Sequence, residues 1–405
     1  MLVVGPPGTG KTRLISVASE VLGKKGRVLV TAHTNRAVDN VIEKLEPGFA
    51  VRLGYHFKLS PEVRKHSVEA LSLGSLDSLA LLSRSLRNAG KKAIEVSSEI
   101  VDEIDGKVRE VEKRVRKVLS RARVVGATLM KCALTPYPLH EFDYAFIDEA
   151  SQATVAEVLA GMMYARRVVL VGDPNQLPPV LSCRNPEIFS AFNFFASFTD
   201  RAFWLRNHYR SDPGIIGFSA RHVYGGKLIP RSGRMRLELE KTPERFVNIL
   251  NPEKPAVFVA VRGEEEKVNA TKLNRAEAGV CVSICSELLR CGVRDIAVIT
   301  PYVGQKRLIG EILEEALGEP VEVNTVDAFQ GREKDVVLFS AVSTRDLTFS
   351  SERKRFNVAT TRAKRKLIVL ANPSAFRFTR NRRTLLYSYF LYAKERNAVF
   401  SCGLG

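Results

Sequence analysis

Residues 1–12, MLVVGPPGTGKT, contain the pattern G-x-x-x-x-G-K-[ST] without a mismatch. An apolar run comes before the pattern, and an amphipathic stretch follows it. Strand, loop and helix in this order is the context in which the pattern holds phosphate, because backbone N–H groups and the helix N-terminus face the anion. An ordinary glycine-rich turn is the alternative. We predict a phosphate site formed by Gly5, Pro6, Gly8, Thr9, Gly10, Lys11 and Thr12.

Two side chains of this loop have separate expected roles. A lysine at the position of Lys11 reaches the β- and γ-phosphates, and the hydroxyl of Thr12 ligates Mg²⁺. The loop alone indicates an NTPase without indicating its class, since kinases, GTPases, AAA+ machines and helicases share it. The loop itself implies a nucleoside triphosphate and Mg²⁺, and the family resemblance described below implies that the nucleotide is ATP.

Composition narrows the choice of partner and compartment. With 405 residues, 45% of them hydrophobic, the chain can form two or three cores. The net charge of +18 favours a polyanion partner, nucleic acid first, although a generally basic proteome would give the same excess. No apolar run approaches the ~18 residues of a membrane span, and no signal peptide is recognisable. The six cysteines form no C-x-x-C pair; we expect a cytoplasmic, reduced protein with no cysteine metal site and with Cys281 and Cys285 in its core.

Short Val/Ile-rich runs alternate with helical stretches and predict an α/β fold with parallel sheets. One series of strands lies at 27–33, 123–128, 144–150 and 167–173. A second series lies at 256–261, 295–302, 321–329, 335–342 and 366–372, with a helix over 275–290. We predict two tandem domains, residues 1–200 and 201–405, with the nucleotide in the cleft between them.

The first series is interrupted at about residues 56–122. Apolar residues within the interruption are spaced 4, 4, 3, 4 and 3 apart, which is one face of an α-helix: Ile100, Ile104, Val108, Val111, Val115 and Val118. We predict a helical insertion in the first domain, arranged as a hairpin. Its basic face would contact nucleic acid or would simply be solvated.

Two carboxylates end the predicted strand at 144–150. Unpaired charges are costly at the end of a buried strand, so Asp148 and Glu149 require a function. We expect Asp148 to hold Mg²⁺ through its shell and Glu149 to orient and polarise the attacking water. A surface turn is the alternative.

Three further residues have the chemistry needed to stabilise phosphoryl transfer. The neutral amide of Gln176, at the end of the next strand, can sense the γ-phosphate and fix the water. Arg210 and Arg362 lie in the second predicted domain, and a guanidinium stabilises the charge that spreads in a loose transition state. A surface salt bridge is the ordinary alternative for either arginine.

Taken in order, nine segments resemble the motifs of superfamily 1 helicases, over residues 1–392: GPPGTGKT, VTAHTNRAVDNV, VVGAT, DEASQA, GDPNQLPPV, HYRSDP, ITPYVGQ, VNTVDAFQGREKDVV and NVATTRAKRKL. They are most similar to the subgroup of the nonsense-mediated-decay RNA helicase, senataxin and the Ig-mu-binding-protein helicase. The resemblance implies two RecA-like domains and an ATP-dependent helicase or translocase that moves 5′ to 3′ along single-stranded RNA or DNA. We expect a monomer that does not bind membranes.

The resemblance also implies further site residues. Tyr209 would stack on the adenine, and Glu333 would contact the ribose. Small polar groups would grip the strand through its phosphates and sugars: Thr31, Thr34, Asn35, Thr128, Pro301, Tyr302, Thr325 and Asp327.

Members of this subgroup also carry a glutamine-containing motif and a small β-barrel before the phosphate loop. The four residues ahead of Gly5 cannot hold either, so we expect an N-terminal segment that is missing or supplied by a partner chain. One alternative is therefore a nucleic-acid-binding fragment with little ATPase activity. The other is an AAA+-type remodelling ATPase, although its arginine normally comes from a neighbouring subunit.

Overall fold

The Val/Ile-rich runs of the sequence form the central strands of two parallel sheets. The computed structural model describes residues 1–73, 98–135, 139, 141–181, 185–199, 201–318 and 321–402. These residues form two compact units. Unit 1 comprises residues 1–5, 10–174 and 178–204, and unit 2 comprises residues 6–9, 175–177 and 205–405.

The sheet of unit 1 has seven strands: β1 (Leu2–Val4), β2 (Val28–Ala32), β3 (Ala50–Leu53), β4 (Val124–Thr128), β5 (Phe142–Asp148), β6 (Ala165–Gly172) and β7 (Ala202–Trp204). All pair in parallel, in the order β3-β4-β2-β5-β6-β1-β7. One strand, β6, separates the phosphate-loop strand β1 from the carboxylate strand β5. Strand β7 lies beyond the expected boundary at residue 200, yet it pairs with β1.

The α-helices of unit 1 are Lys11–Gly23, Asn35–Ile42, Val68–Leu73, Ser98–Arg121, Leu129–Leu134, Val155–Met162 and Ala191–Ala196. Three of them begin at threonine caps, Thr34, Thr128 and Thr154, whose hydroxyls accept backbone N–H groups of the first turn. The cap residues Thr34 and Thr128 stand close to the carboxyl ends of their strands. Local sequence therefore turns the chain from strand to helix at the edge where ligands bind in open α/β sheets.

Within residues 56–122, the regular structure of the described residues is helical. Short turns of 3₁₀-helix at His56–Lys58 and Pro61–His66 lead into the helix Val68–Leu73. The helix Ser98–Arg121 returns to the sheet, and its residues Val115 and Leu119 are buried in the same apolar cluster as Val51 and Val125. Residues 74–97 and the side chains of 98–108 and 111 lie outside the described part, so the hairpin and the stripe from Ile100 to Val111 stay predictions.

Two small sheets in unit 2 pair β8 (Asn207–His208) with β9 (Ile229–Pro230), and β11 (Glu266–Val268) with β12 (Thr271–Leu273). Its main sheet has six strands: β10 (Ala256–Val261), β13 (Ile296–Thr300), β14 (Glu322–Thr325), β15 (Lys334–Ser340), β16 (Ala363–Ala371) and β17 (Val399–Cys402). These six are parallel, in the order β14-β13-β15-β16-β10-β17.

The α-helices of unit 2 are Pro213–His222, Val247–Leu250, Arg275–Arg290, Val303–Leu317, Arg353–Thr360 and Leu385–Lys394. The helix predicted over 275–290 has those bounds, and its Cys281 and Cys285 are fully buried in the core, as expected. The predicted α/β class is thus confirmed in both units. Among the described residues, no helix has both the length and the apolar character needed to span a membrane.

Candidate nucleotide and nucleic-acid sites

The phosphate loop follows β1 and has the backbone shape of an anion cradle. Gly8 and Gly10 have φ of 68° and 86°, the left-handed region that glycine reaches without strain. The hydroxyl of Thr9 donates to the carbonyl of Pro6 at 2.7 Å and closes the turn. A side chain at Gly8 has no room, because its Cβ would stand 2.6 Å from the Cβ of Arg210.

Lys11 and Thr12 form the first turn of the helix after this loop. The ammonium of Lys11 donates to the carbonyl of Gly5 at 2.8 Å and lies 3.9 Å from a carboxylate oxygen of Glu149. Positive side-chain charge and the helix N-terminus thus face the same side of the loop, and both favour an anion.

The carboxylates at the end of β5 differ in environment. Asp148 is buried, and burial, together with the charge of Glu149, raises its pKa to about 7, while Lys11 and the backbone N–H of Glu149 oppose the shift. Glu149 has a left-handed backbone, with φ of 52°, and its carboxylate accepts a hydrogen bond from Gln152 at 2.9 Å. A buried carboxylate that is costly to ionise suits a cation ligand, so the environment of Asp148 is compatible with its expected role toward Mg²⁺.

Gln176 and Arg362 meet within unit 2, and both are buried. The guanidinium of Arg362 donates to Oε1 of Gln176 at 3.3 Å, to the carbonyl of Val358 at 3.1 Å and to that of Arg332 at 3.3 Å. Arg362 follows the helix Arg353–Thr360 and precedes β16. The structure therefore brings these two predicted catalytic residues together and fixes the arginine through three acceptors.

Arg210 and Glu333 form an ion pair, with 2.5 Å between Nε and Oε2. Lys364 lies 3.5 Å from the other oxygen of the same carboxylate. Glu333, expected at the ribose, is thus engaged by two cations. Within the described residues, the buried Nη1 of Arg210 has no acceptor in hydrogen-bonding distance, which leaves it available to an anion. Tyr209, expected at the adenine, has an exposed side chain, and its N–H donates to the carbonyl of Gly8 at 2.9 Å.

His208 was not singled out in the sequence, yet it contacts the phosphate loop. Nε2 accepts the N–H of Ser211 at 2.8 Å, so Nδ1 carries the proton and donates to the carbonyl of Pro7 at 2.7 Å. Burial is the largest cause that lowers the pKa of His208, to about 4, so the ring is neutral at physiological pH. The only sequence signal was its place beside Tyr209 and Arg210.

The residues expected to grip nucleic acid cluster at the carboxyl ends of strands in each unit. In unit 1, Ala32 pairs with Thr128, which brings the cap residue Thr34 and its neighbour Asn35 next to Thr128. In unit 2, Thr300 pairs with Thr325, so Pro301 and Tyr302 lie beside Thr325.

The side chains of this set are not equally accessible. Thr31 is fully buried in β2, with its hydroxyl 3.9 Å from the sulfur of Cys132, so it faces the interior rather than a ligand. Tyr302 is also buried, and its hydroxyl lies 2.8 Å from that of Ser343. Asp327 is exposed and pairs with Arg355 at 3.4 Å.

A buried polar network supports the turn beside Tyr302. Glu277 accepts hydrogen bonds from the hydroxyl of Ser340 at 2.7 Å and from the N–H of Val342 at 2.9 Å. Val342 has a φ of 66°, a left-handed conformation that is strained for a β-branched residue. Burial raises the pKa of Glu277 to about 7. Glu277 therefore holds the strained turn that places Ser343 against Tyr302.

In unit 1 a phosphate loop follows β1 and two carboxylates follow β5, which is separated from β1 in the parallel sheet by β6 alone. This is the RecA-like arrangement of P-loop nucleoside-triphosphate-binding proteins. Comparison with known proteins narrows this class. One family model, described as an AAA domain, matches residues 1–78 and 77–183, and a second with the same description matches residues 189–374.

Curated relatives match along nearly the whole chain. DNA polymerase alpha-associated DNA helicase A of Schizosaccharomyces pombe is 31% identical over 93% of this chain and 61% of its own length. The ATP-dependent helicase upf1 of the same yeast is 32% identical over 98% of this chain and 45% of its own length. The chain thus belongs to the superfamily 1 helicases, in their Upf1-like group, and it spans about half the length of these two relatives.

Among solved structures, an arterivirus nonstructural protein 10 helicase aligns with 92% of this chain and 59% of its own, at 16% identity and a TM-score of 0.47.

Proposed function

We propose that the chain hydrolyses ATP when it binds single-stranded nucleic acid, and that it uses this reaction to step along the strand and unwind duplexes. The observation that carries the proposal is the meeting of Lys11 and Glu149 at the phosphate loop. Family membership supports it, since relatives such as upf1 are named ATP-dependent helicases. The 5′-to-3′ direction rests on the resemblance to the family alone.

In this proposal each residue has a defined role in hydrolysis. Thr12 and Asp148 would hold Mg²⁺, which would supply charge neutralisation at the phosphates. Glu149 orients the attacking water and accepts its proton, because a hydrogen bond from Gln152 holds the carboxylate of Glu149 beside Lys11. Charge that develops on the γ-phosphate is stabilised by Lys11, Arg210 and Arg362, and Gln176 senses the phosphate.

The strand is gripped at the carboxyl ends of the two sheets. Hydroxyl and amide groups there contact phosphate and sugar, which gives a grip that does not depend on base sequence. The surplus of positive charge supplies affinity, and exposed arginines of the turn at Thr379–Arg383 contribute to it: Arg380, Arg382 and Arg383. Binding should therefore weaken steeply as salt rises.

ATP hydrolysis with and without single-stranded RNA or DNA tests the ATPase part of the proposal. We expect both a dependence on Mg²⁺ and a rate that rises when the strand is added. Tight strand binding with no stimulated hydrolysis would instead favour a nucleic-acid-binding protein with little ATPase activity.

A strand-displacement assay tests unwinding and direction. Duplexes with a 5′ overhang should be opened when ATP is present, and duplexes with a 3′ overhang should not. Opening only from the 3′ overhang would contradict the proposed direction, and opening from neither would reduce the activity to translocation.

A further inference from the structure

Two exposed aromatic rings stack on each other just after β3, at the carboxyl edge of the sheet of unit 1. Tyr55 is 58% exposed and Phe57 is 74% exposed. Their ring centroids are 5.7 Å apart, and the planes make an angle of 26°. Such an aromatic surface is costly to leave in water, and the described residues give no packing reason for it.

Two lysines surround these rings. The ammonium of Lys58 lies 5.5 Å from the centroid of Tyr55 and 5.9 Å from that of Phe57. The ammonium of Lys131 lies 4.9 Å from the centroid of Tyr55. In the part of the chain that the structure describes, no carboxylate forms a salt bridge with either lysine. Aromatic faces next to uncompensated positive charge match a ligand that has both flat rings and phosphates.

The loop that carries the rings is fixed at both ends by one buried ion pair. Arg52 and Asp39 pair at 2.7 Å between Nε and Oδ1, and both are buried. Arg52 also donates to the carbonyl of Leu53 at 2.7 Å, where the loop begins. The other oxygen of Asp39 accepts the N–H of Ser60 at 3.1 Å, where the loop ends. The aromatic surface is therefore a built feature of the fold.

The same ion pair links the loop to the predicted strand-binding residues. Arg52 donates to the amide oxygen of Asn35 at 2.8 Å. Lys131 lies in the first turn of the helix Leu129–Leu134, where its N–H donates to the hydroxyl of the cap residue Thr128 at 3.2 Å. The loop that carries the rings is thus anchored to Asn35 through Arg52, and Lys131 links Tyr55 to the helix that Thr128 caps.

We propose that Tyr55 and Phe57 form a base-stacking platform for single-stranded nucleic acid, with Lys58 and Lys131 contacting its phosphates. The platform rests on the proposed function for its ligand, and it adds aromatic contacts to a set that otherwise consists mostly of small polar groups. Stacking is tolerant of sequence because every base has a flat face.

Binding of a labelled oligothymidylate, compared with an abasic oligonucleotide of the same length, tests the platform without ATP. We expect Tyr55→Ala with Phe57→Ala to weaken oligothymidylate binding by about 5- to 150-fold for each base that no longer stacks. Binding of the abasic strand should change little. Phe198→Ala is the matched control, because Phe198 is 73% exposed in the same unit and should leave both affinities unchanged.

The lysines give a second, independent readout. Lys58→Ala with Lys131→Ala should lower the slope of log affinity against log salt by about 0.7 for each phosphate that the protein no longer neutralises, whereas the aromatic variants should leave that slope unchanged. Unchanged oligothymidylate binding in the aromatic variants, or an equal loss of affinity for the abasic strand, would overturn the platform.

Failure of the proposed function gives a different pattern. A wild-type chain that binds oligothymidylate through these rings, yet hydrolyses no ATP, would contradict the ATPase proposal and leave the platform supported. A chain that hydrolyses ATP on strand binding but is insensitive to the aromatic variants would contradict the platform alone. A properly folded wild type that binds neither oligonucleotide would contradict both.

Discussion

The ammonium of Lys11 lies 3.9 Å from a carboxylate oxygen of Glu149, and the two residues come from the first turn after the phosphate loop and the end of β5. In the proposed mechanism, a triphosphate in the loop would compete with Glu149 for the ammonium of Lys11. Phosphate binding would then release the carboxylate for its role toward water. We therefore propose that the pair couples occupation of the loop to the chemistry of Glu149.

Glu149→Gln should uncouple ATP binding from hydrolysis. The amide keeps an oxygen for the hydrogen bond from Gln152, but it cannot accept a proton from water. We expect the single-turnover hydrolysis rate to fall by about 10²- to 10⁴-fold, with ATP affinity kept or increased. Glu141→Gln is the control, since Glu141 is exposed and pairs with Arg166. A single-turnover rate within a few-fold of the wild type would show that another group acts as the base.

Arg362→Ala should lower turnover far more than ATP affinity. Its guanidinium is held by three acceptors in a fixed orientation and can stabilise charge that develops only in the transition state. We expect kcat to fall by about 10²- to 10³-fold. Arg362→Lys should not restore it, because an ammonium cannot reproduce the planar fork.

The matched control for Arg362 is Arg377→Ala, which removes an exposed arginine of the same unit. Equal kcat losses in the two variants would indicate a general charge effect. A loss confined to ATP affinity in Arg362→Ala would indicate a binding role instead.

His208→Ala should destabilise the chain and weaken nucleotide binding together. The variant leaves the carbonyl of Pro7 and the N–H of Ser211 without the ring that bonds to both. We expect a loss of about 1–3 kcal/mol in the free energy of unfolding, measured with urea, and a raised Kd for ATP. His33→Ala, at an exposed histidine, should change neither. Equal stability of the two variants would argue against a stabilising role for the bonds of His208 with Pro7 and Ser211.

Glu277→Gln should remove a pH dependence of stability. Burial raises the pKa of Glu277 in the folded chain from an ordinary value of 4.5 to about 7, so between these pH values the folded state holds a proton that the unfolded state has lost. Glu277 therefore stabilises the fold fully below about pH 4.5, and this contribution is lost as pH rises to about 7.

The wild-type stability, relative to that of Glu277→Gln, should fall by roughly 3 kcal/mol over this window and stay level above it. Urea unfolding at a series of pH values measures the difference. Glu238→Gln, which removes an exposed carboxylate of the same unit, is the control for a general charge effect. A constant difference across the range would mean that Glu277 is ionised in the folded state.

Much of the fold could be predicted because its signals are local. Apolar runs marked the central strands, and the spacing of Cys281 and Cys285 marked a buried helix face. Strands β3 and β17 were not singled out, because their apolar runs are short and mixed with polar residues. The predicted domain boundary at residue 200 left the residues of β7 in the second domain. Their partner β1 lies some 200 residues away in the chain, and no local pattern indicates such pairing.

The sequence motifs identified Lys11, Asp148 and Glu149 as neighbours at the phosphate loop, and the structure places them there; their catalytic roles stay predictions. Contacts made by tertiary packing were not visible. The bond from His208 to Pro7 and the pair of Arg362 with Gln176 each join residues more than 180 positions apart. Thr31 was expected at the nucleic-acid strand from its place in a motif, but its side chain is buried. A place in a motif does not indicate whether a side chain is exposed.

ATP hydrolysis by the wild type and Lys11→Ala, with and without a single-stranded oligonucleotide, tests the central claim most directly. Lys11→Ala removes the cation that faces both phosphate and Glu149, whereas Lys24→Ala removes an exposed lysine that pairs with Glu20. We predict that the oligonucleotide stimulates hydrolysis by the wild type and by Lys24→Ala, and that Lys11→Ala loses at least about 100-fold of the stimulated rate. Absence of stimulation in the wild type, or stimulated hydrolysis that survives in Lys11→Ala, would contradict the account.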